Sequence, residues 1–280
     1  MPEGDTIFRA ARTLHRALAG KLVTRFESPL PHLARVDVDR PVAGRTVESV
    51  AAIGKHQLVR FSGDLLLRTH MRMNGSWHLY RPGERWQRPR AAMRVLVETA
   101  DLVAVGFDVP DAEFLSSREL ARHAELRRLG PDLLGAFDAE EAERRIRARP
   151  GEPIAEVLLN QRVLAGIGNV FKSEILFLAR VHPSRRAGTL SAGELSTILD
   201  LSRKLLAANV ADGAGGTIVT WFGHRRTTGR TNPEQSLWVY GRSGAPCRRC
   251  ATPISYAKRG VDARVTYWCP SCQPEPPVER

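Results

Sequence analysis

The chain has 280 residues, enough for one large domain or two ordinary ones, and its 42% hydrophobic and 26% charged content is typical of globular proteins. No apolar stretch approaches the ~20 residues that cross a membrane, and the N-terminus is polar within five residues, so we expect neither a membrane protein nor a signal-bearing one. Lysine and arginine number 42 against 30 acidic residues, and this net charge of +12 predicts a polyanionic partner such as nucleic acid, although a GC-rich genome also produces arginine-rich proteins.

The first predicted element is an amphipathic helix that begins directly after Pro2-Glu3-Gly4. We expect Asp5 or Thr6 to cap this helix and Gly20 to end it. Its apolar residues recur at helical spacing as Ile7, Ala10, Ala11, Leu14 and Leu18. The start of the chain therefore coincides with the start of a helix.

Pro2 and Glu3 form a candidate catalytic pair at this position. Removal of Met1, which the small Pro2 favours, leaves a secondary amine near the positive end of the helix dipole, where the pKa of the amine falls and its neutral form is favoured. A neutral secondary amine can attack a sugar carbon and form an iminium, while Glu3 moves protons. The same residues are also common as an ordinary helix entry, with an acid stabilising the first turn.

Residues 21 to about 107 predict an antiparallel sandwich or barrel, because short runs rich in Val, Leu, Ile, Phe and Trp are separated by turn residues. The predicted strands are 21–27, 45–53, 56–61, 64–69, 75–80, 93–98 and 101–107. Strands and helices do not alternate in this half of the sequence, so a parallel sheet is not expected.

Two connections in this half carry candidate binding residues. Gly54-Lys55 interrupts the strand pattern with a glycine and a cation, which suits the approach of a phosphate, although a lysine in a turn is more often simply solvated. The loop from His70 to Gly75 contains Met71 and Met73, two of the four methionines. An exposed methionine can wedge into a base stack, whereas a buried one fills a core.

From Ser116 the pattern becomes helical, with leucines at 120, 126 and 129, and Gly130-Pro131 ends this helix. A linker and a charged helix from Asp138 to Arg149 follow. We therefore predict an N-terminal domain at 1–130, a linker and charged helix at 131–151, a helical DNA-binding domain at 152–240 and a small finger at 241–280.

The helical domain contains two predicted helices, 154–161 and 170–179, on either side of a glycine-containing turn. Gly166 and Gly168 permit a tight double turn, and Asn169 stands where a helix N-cap belongs. Free backbone amides at a helix start bind phosphate, although helical hairpins also abound in proteins that never touch DNA. A long helix at 191–210 is expected to pack beside the pair.

Residues 212–230 combine glycines with arginines and predict a mobile basic loop. Such a loop either closes over a substrate or is disordered and has no function in binding.

The spacing Cys247-x2-Cys250-x18-Cys269-x2-Cys272 predicts a structural zinc site with four thiolate ligands. Two disulfides are the alternative, which is disfavoured because nothing else suggests an oxidising compartment. One zinc ion would hold a hairpin too small to fold on its own core. The basic residues of this hairpin are Lys258, Arg259 and Arg264.

Taken together, these motifs resemble the bacterial formamidopyrimidine-DNA glycosylase and endonuclease VIII superfamily, which removes oxidised bases from DNA. The matching segments, in the family's order, are Pro2-Glu3-Gly4, Gly54-Lys55, 70–75, 158–161, 165–169, Val239-Tyr240-Gly241-Arg242 and the four cysteines. The likeness covers nearly the whole chain. It implies an α+β multidomain protein with an N-terminal antiparallel β-sandwich and flanking helices, a C-terminal helix-two-turns-helix domain and a four-cysteine zinc finger, with DNA bound between the domains.

By matching position, the resemblance also implies a role for each candidate residue. Pro2 would be the Schiff-base nucleophile at C1′ of an everted nucleotide, and Glu3 the proton donor. Lys55 and Arg264 would contact phosphates and donate protons during β- and δ-elimination. The other implied DNA contacts are Gly168, Asn169, Arg72, Met73 and Asn74, and the implied ligands of one structural Zn²⁺ are Cys247, Cys250, Cys269 and Cys272.

Two departures from the family pattern bear on mechanism and substrate. Asp5-Thr6 replaces a second proline-glutamate pair, so the proton relay is expected to use other groups. The region 107–111 lacks the Arg-Phe pair with which the purine-repairing branch probes the opposite strand. Three consecutive residues, 72–74, occupy the place of the space-filling triad of the endonuclease VIII branch. The residues therefore favour an endonuclease VIII-like protein of actinobacterial type, acting on oxidised pyrimidines.

We accordingly predict a bifunctional glycosylase and abasic-site lyase of base excision repair that cuts by β,δ-elimination. The alternatives are an oxidised-purine glycosylase acting on formamidopyrimidine or 8-oxoguanine, a catalytically silent damaged-DNA-binding protein and a zinc-finger transcription regulator. The expected partner is double-stranded or bubble DNA containing oxidised bases or abasic sites. We expect a monomer in the bacterial cytoplasm, associated with the nucleoid.

Overall fold

The computed structural model describes residues 2–211, 236–260 and 263–275, apart from the side chain of Arg259. The chain divides into two compact units, residues 1–128 and 129–280. The predicted basic loop at 212–230 lies outside the described residues. Within the described parts of the chain, no helix is long and apolar enough to span a membrane.

The N-terminal unit combines four helices with two antiparallel sheets. The helices are α1 (Gly4–Leu18), α2 (Pro31–Asp39), α3 (Ser117–Arg122) and α4 (Ala124–Arg127). The strands are β1 (Val23–Glu27), β2 (Val47–Ile53), β3 (His56–Phe61), β4 (Leu65–His70), β5 (Ser76–Tyr80), β6 (Met93–Thr99), β7 (Val103–Phe107) and β8 (Asp111–Leu115). One sheet has the order β1-β6-β7-β5 and the other β2-β3-β4-β8. The predicted antiparallel sandwich with flanking helices is confirmed.

A shared hydrophobic core joins the two sheets to α1. Apart from Ala112 of β8, its strand residues belong to the apolar runs by which the strands were predicted, and each large side chain contributes ~1.5–3 kcal/mol when buried. Its members include Ala11, Leu14 and Leu18 of α1, Val95, Val97 and Ala104 of the first sheet, and Val59, Phe61 and Leu67 of the second.

The start of α1 differs from the sequence expectation. Glu3 is the N-cap, with an extended backbone at φ −111° and ψ 179°, and its side chain makes no capping bond. Asp5 is instead a buried residue of the first turn that forms an ion pair with Arg9 at 3.0 Å. The expectation that Asp5 or Thr6 caps the helix is therefore wrong. Gly20 adopts a φ of +81° two residues after the last helical residue, as its predicted role requires.

The sequence patterns did not predict three features of this unit, namely the helix α2, the strand β8 and the break between α3 and α4. α2 interrupts the predicted run of strands; it begins at Pro31 and buries only Leu33, so its apolar periodicity is weak. The strand β8 contains Asp111 and Glu113, whose charges are paired by residues of other elements. The helix predicted from Ser116 breaks at His123 into α3 and α4.

The C-terminal unit is a helical cluster followed by a two-stranded hairpin. Its helices are α5 (Ala139–Arg147), α6 (Ile154–Leu159), α7 (Asn169–Leu178) and α8 (Ala192–Val210), and its strands are β9 (Ser255–Arg259) and β10 (Arg264–Trp268). The core is formed by α5 to α8 and the turn before α7, with Phe171, Ile175 and Leu206 completely buried. Gly168 is the N-cap of α7 and Asn169 its first residue, so the sequence placed the cap one residue too late.

Candidate active site and nucleic-acid interface

The predicted catalytic pair lies at the start of α1. Pro2 is half-buried and precedes the helix, whereas the side chain of Glu3 is completely buried. Gly4 and Asp5 are buried as well, and burial raises the pKa of Asp5 above its usual value, with Arg9 offsetting part of the rise. The backbone nitrogen of Pro2 therefore lies near the positive end of the helix dipole, beside a largely buried helix start.

Lys55 lies in the two-residue turn that joins β2 to β3. The pair Ile53 and His56 closes this turn, and Gly54 adopts a φ of +57°, which favours glycine. The register of β3 against β4 pairs His56 with His70. Lys55 and the turn that follows His70 therefore lie at the same end of the second sheet.

A network of charged and polar residues surrounds the buried His56 and Arg68, next to the turn that contains Lys55. Arg68 donates to Nδ1 of His56 at 2.8 Å and to Glu113 at 2.5 Å. His123 contacts the same Glu113 carboxylate at 2.9 Å, and Glu125 lies 3.4 Å from Arg68. His56 and Arg68 are 3% and 7% exposed, so the network occupies a position where a core residue would ordinarily stand. Sequence reasoning missed it, because its members come from β3, β4, β8 and the short segment around α4.

The turn at residues 72–74 is held from three directions. The backbone N–H of Arg72 donates to Nδ1 of His70 at 3.1 Å, and its guanidinium pairs with Asp111 at 2.5 Å. Arg88 donates to the carbonyl of Asn74 at 3.2 Å. A Cβ on Gly75 would lie 2.5 Å from the carbonyl oxygen of Met71, so only glycine fits there.

The two methionines of this loop have different environments. Met71 is 2% exposed and fills the core, whereas Met73 is 52% exposed at the turn. Met71 thus has the core-filling role, whereas Met73 has the exposure that the other reading requires, and its insertion into a base stack stays a prediction. The rigid turn displays Met73 and the exposed Arg72 and Asn74 to solvent.

The segment 107–111 is a tight connection from β7 to β8. Phe107 and Val109 are completely buried. Asp108 pairs with Arg88 at 2.6 Å, and Asp111 holds Arg72. The two aspartates of this segment are thus both engaged in ion pairs with arginines.

In the C-terminal unit, the turn before α7 is organised by Gln161. Its side chain donates to the carbonyls of Leu159 and Ile167 at 2.8 and 3.0 Å and accepts from the N–H of Gly166 at 3.0 Å. Gly166 has a φ of +112°, which explains one of the two predicted glycines. The carboxylate of the buried Glu174 accepts from the backbone N–H groups of residues 238–240 at 2.8 to 2.9 Å.

Asn169 connects α7 to β10. Its Nδ2 donates to the carbonyl of Val265 at 2.7 Å, and its Oδ1 accepts from Lys172 at 2.8 Å. Lys172 is completely buried and also contacts the hydroxyl of Thr266 at 2.6 Å. Arg264, two residues before Thr266 on β10, is half-buried. It lines a cavity of about 450 Å³ together with Lys172 and Thr266. The carboxylates on the same cavity wall are Glu152 and Glu156.

The four cysteines form one cluster. All four sulfur atoms lie within 4.8 Å of one another, with Cys250 3.5 Å from both Cys269 and Cys272 and Cys247 3.9 Å from Cys272. Four Zn–S bonds of ~2.3 Å in a tetrahedron separate the sulfurs by about 3.8 Å. The donor set therefore fits a closed four-thiolate metal site, and it joins the two knuckles that flank β9 and β10.

Acidification is expected to destabilise the protein through His56. Burial, together with the charges of His70 and Arg68, lowers the pKa of His56 to about 3, whereas an unfolded histidine titrates near 6.5. Below pH 6.5 His56 binds a proton in the unfolded chain but not in the folded chain. The contribution of His56 to the free energy of unfolding is therefore fully present above pH 6.5 and is lost as the pH falls toward 3. From pH 7.5 to 5 we expect urea unfolding to show a loss of about 2 kcal/mol from this residue.

The variant His56→Gln isolates this contribution, because glutamine keeps an acceptor for Arg68 and cannot titrate. Its unfolding free energy is expected to change by about 2 kcal/mol less over the same pH interval. An equal pH dependence in the two proteins would show that His56 is not the group responsible. Burial and Arg72 also lower the pKa of His70, to about 4, so some acid sensitivity remains in the variant.

Known proteins resemble the chain over its whole length. The family profile described as "Formamidopyrimidine-DNA glycosylase N-terminal domain" matches residues 1–130, and "Formamidopyrimidine-DNA glycosylase H2TH domain" matches residues 129–220. "Probable endonuclease 8 2" of Streptomyces coelicolor is 44% identical over 280 residues, which cover 99% of this chain and 95% of the relative. "DNA-(apurinic or apyrimidinic site) lyase Nei2" of Mycolicibacterium smegmatis is 39% identical over 274 residues, which cover 98% and 99% of the two chains.

Among solved structures, Lactococcus lactis Fpg in a complex with DNA containing an abasic site has a similar fold. The TM-score is 0.82 at 22% sequence identity, over 98% of this chain and 100% of that chain. At this identity the likeness is one of fold.

Proposed function

The chain belongs to the formamidopyrimidine-DNA glycosylase family, and from that premise we propose that it is a bifunctional DNA glycosylase and abasic-site lyase of base excision repair. The recognition of the endonuclease VIII-like branch from the sequence is confirmed by relatives named endonuclease 8 2 in actinobacteria. The observation that carries the proposed chemistry is the position of Pro2 and the buried Glu3 at the start of α1.

In the proposed first step, the nitrogen of Pro2 forms a bond to C1′ while the bond from C1′ to the damaged base breaks. The base leaves with the bonding electrons, and the Pro2 nitrogen, which is cationic after the attack, gives up its N–H proton, so that the base is protonated and the nitrogen regains its lone pair. Glu3 then protonates the ring oxygen as the bond from that oxygen to C1′ breaks, and the nitrogen lone pair forms the iminium. The position of Glu3 supports this role, because its carboxyl group is buried one residue from the proposed nucleophile.

Strand cleavage follows from the iminium, which accepts the electron pair released when C2′ loses a proton. The C3′–O bond breaks in the first elimination and the C5′–O bond in the second. Lys55 and Arg264 are the proposed proton donors and phosphate contacts for these steps. Gly54 supports this role of Lys55, because a glycine at positive φ leaves room for a phosphate beside the turn.

Everting the target nucleotide leaves a gap in the base stack, which we propose that Met73 fills with Arg72 and Asn74. Chemistry at C1′ requires eversion, since an enzyme cannot reach the damaged base inside an intact stack. The exposure of Met73 on a braced turn supports this role, because an apolar wedge must keep its shape against the duplex. Gly168 and Asn169, at the start of α7, are proposed to bind a phosphate of the same strand.

We propose that the four-cysteine cluster binds one structural Zn²⁺. The ligands are Cys247, Cys250, Cys269 and Cys272, and the sulfur separations support a tetrahedral site. When bound, the ion stabilises the hairpin that carries Arg264 and takes no part in the reaction.

We further propose oxidised pyrimidines as the preferred substrate. The exposed residues 72–74 support this preference, because they occupy the place of the space-filling triad of the endonuclease VIII branch. So does segment 107–111, whose sequence lacks the Arg-Phe pair of the purine-repairing branch. A catalytically silent DNA-binding protein is the alternative, and the pair Asp5-Thr6 is the feature that favours it.

Borohydride trapping tests the proposal, because only an iminium is reduced to a stable covalent complex. Duplexes containing an oxidised pyrimidine, an oxidised purine or no lesion would be compared after mass spectrometry confirms that Met1 is absent. We expect an adduct at residue 2, formed fastest with the oxidised pyrimidine. Binding of damaged DNA without any adduct would favour the silent protein instead.

A further inference from the structure

Lys172 is a buried charged residue that the proposed chemistry does not use. It lies on α7 one turn after Asn169, among other buried residues of that helix, and it is completely buried. An ammonium group is costly to remove from water unless strong acceptors surround it. The residue is therefore expected to serve a purpose that an apolar side chain at this position would not.

The contacts of Lys172 define how Asn169 is oriented. Nζ donates to Oδ1 of Asn169 at 2.8 Å and to the hydroxyl of Thr266 at 2.6 Å, and it lies 3.4 Å from the carbonyl of Val265. Nδ2 of Asn169 donates to the same carbonyl at 2.7 Å. Both ends of the carboxamide are thus assigned, because Oδ1 must face a donor and Nδ2 an acceptor.

This arrangement leaves one N–H of the Asn169 amide for a further acceptor. The adjacent ammonium withdraws electron density from Oδ1 and polarises the amide, which makes that remaining N–H a stronger donor. A DNA phosphate oxygen is an acceptor of the kind that benefits most, since hydrogen bonds to charged groups are the strong ones.

The same ammonium also reaches β10, the strand that begins with Arg264. Its contacts with Val265 and Thr266 fix β10 against the start of α7. Asn169 and Arg264, two of the phosphate contacts proposed for this unit, are therefore linked through one buried group.

We infer that Lys172 is a positioning residue for phosphate binding, which orients and polarises the Asn169 amide and ties it to the strand that carries Arg264. The inference rests on the proposed function for the identity of the ligand, a DNA backbone phosphate. Nothing in the sequence pattern of α7 distinguishes this lysine from a solvated one.

A double-mutant cycle tests this role, with affinity measured by fluorescence anisotropy on a duplex that contains a tetrahydrofuran abasic analogue. We expect Lys172→Met to weaken binding about tenfold to a hundredfold, by an amount similar to Asn169→Ala. Because both changes remove the same contact, the double variant is expected to bind no more than about threefold more weakly than Asn169→Ala. Losses that multiply, or a Lys172→Met variant with unchanged affinity, would overturn the inference.

Two further variants separate positioning from a merely structural role. Lys172→Gln keeps an N–H donor for Oδ1 of Asn169 and is expected to recover part of the affinity lost in Lys172→Met, whereas a structural role predicts no recovery. Lys204→Met on α8 is the matched control at an exposed lysine and is expected to bind as the unaltered protein does. If Lys172→Met fails to fold or to retain metal, Lys172→Gln takes its place in the cycle.

The outcome is separable from that of the proposed function. A protein that forms no borohydride adduct but shows the coupling would lose its proposed chemistry and keep the Lys172 role. A protein that forms the adduct but shows independent losses would keep its chemistry and lose the Lys172 role. Failure of the unaltered protein to bind the duplex would overturn both.

Discussion

Adding one residue before Pro2 is expected to abolish borohydride trapping and to lower single-turnover base excision at least ten-thousandfold, ~5.5 kcal/mol in the barrier. The extension converts the secondary amine of Pro2 into an amide nitrogen, whose lone pair is delocalised into the carbonyl and is no longer a nucleophile. The new α-amine lies one residue farther from the start of α1 and loses its place at the helix dipole. Excision would be measured on a duplex with an oxidised pyrimidine, with the protein in excess.

The variant Pro2→Gly is the graded comparison, since it keeps an amine at residue 2 but makes it primary. We expect it to form a reduced amount of adduct and to excise at an intermediate rate. DNA affinity should stay within about threefold in both proteins, because Lys55 and Asn169 lie elsewhere in the fold. An extended protein that still forms the adduct would place the nucleophile on another residue.

The sequence predicted those parts of the fold that depend on local periodicity. The apolar spacing from Ile7 to Leu18 indicated α1, and short apolar runs indicated seven of the eight strands of the sandwich. These elements bury the same residues that produce the pattern. Where an element buries little, as α2 does with only Leu33, the pattern was too weak to predict it.

The network around His56 and Arg68 shows why part of the site could not be predicted. Arg68 meets Glu113 and Glu125 across 45 and 57 residues of sequence, through the pairing of β4 with β8 and the position of α4. Each residue alone looks like a solvated charge. Only the register that pairs Arg68 with Glu113, together with the position of α4, brings the two carboxylates to the buried guanidinium.

The sequence alone also did not decide which methionine of the loop is buried and which is exposed. Met71 and Met73 are two positions apart, and the turn between them, with Arg72 at a φ of +50°, sends one side chain into the core and the other into solvent. The resemblance to the family selected Met73 for the base stack, a role that stays a prediction. Lys172 illustrates the converse, since no motif or periodicity marks it.

The pair Asp5-Thr6 departs from the family pattern, but both residues have local hydrogen-bond partners in the first turns of α1. Asp5 is buried, pairs with Arg9 and accepts a hydrogen bond from Thr6 at 3.3 Å. Its carboxylate therefore stabilises the first turn of α1. A proline-glutamate pair would stabilise the same turn differently, through the fixed φ of the proline ring and the interaction of the glutamate charge with the helix dipole. The proton relay proposed for this chain accordingly depends on Glu3.

Cys250→Ser is expected to lose the metal and to weaken binding to the tetrahydrofuran duplex at least a hundredfold, ~2.7 kcal/mol. A two-stranded hairpin such as β9–β10 is marginally stable alone, and its apolar support among the described residues is a small cluster around Val239 and Ile254. A structural zinc ion contributes ~10–16 kcal/mol to the folding of such a unit. Without it, β10 would no longer present Arg264 or hold the Asn169 amide.

The exposed Ser271 lies between Cys269 and Cys272, and Ser271→Ala is the matched control for this change. It is expected to keep one zinc ion per chain by elemental analysis and to bind the duplex normally. A Cys250→Ser protein that retains stoichiometric zinc would contradict the four-thiolate assignment. Loss of zinc with unchanged DNA affinity would instead show that the hairpin folds without the ion, and that Arg264 does not depend on the metal for its position.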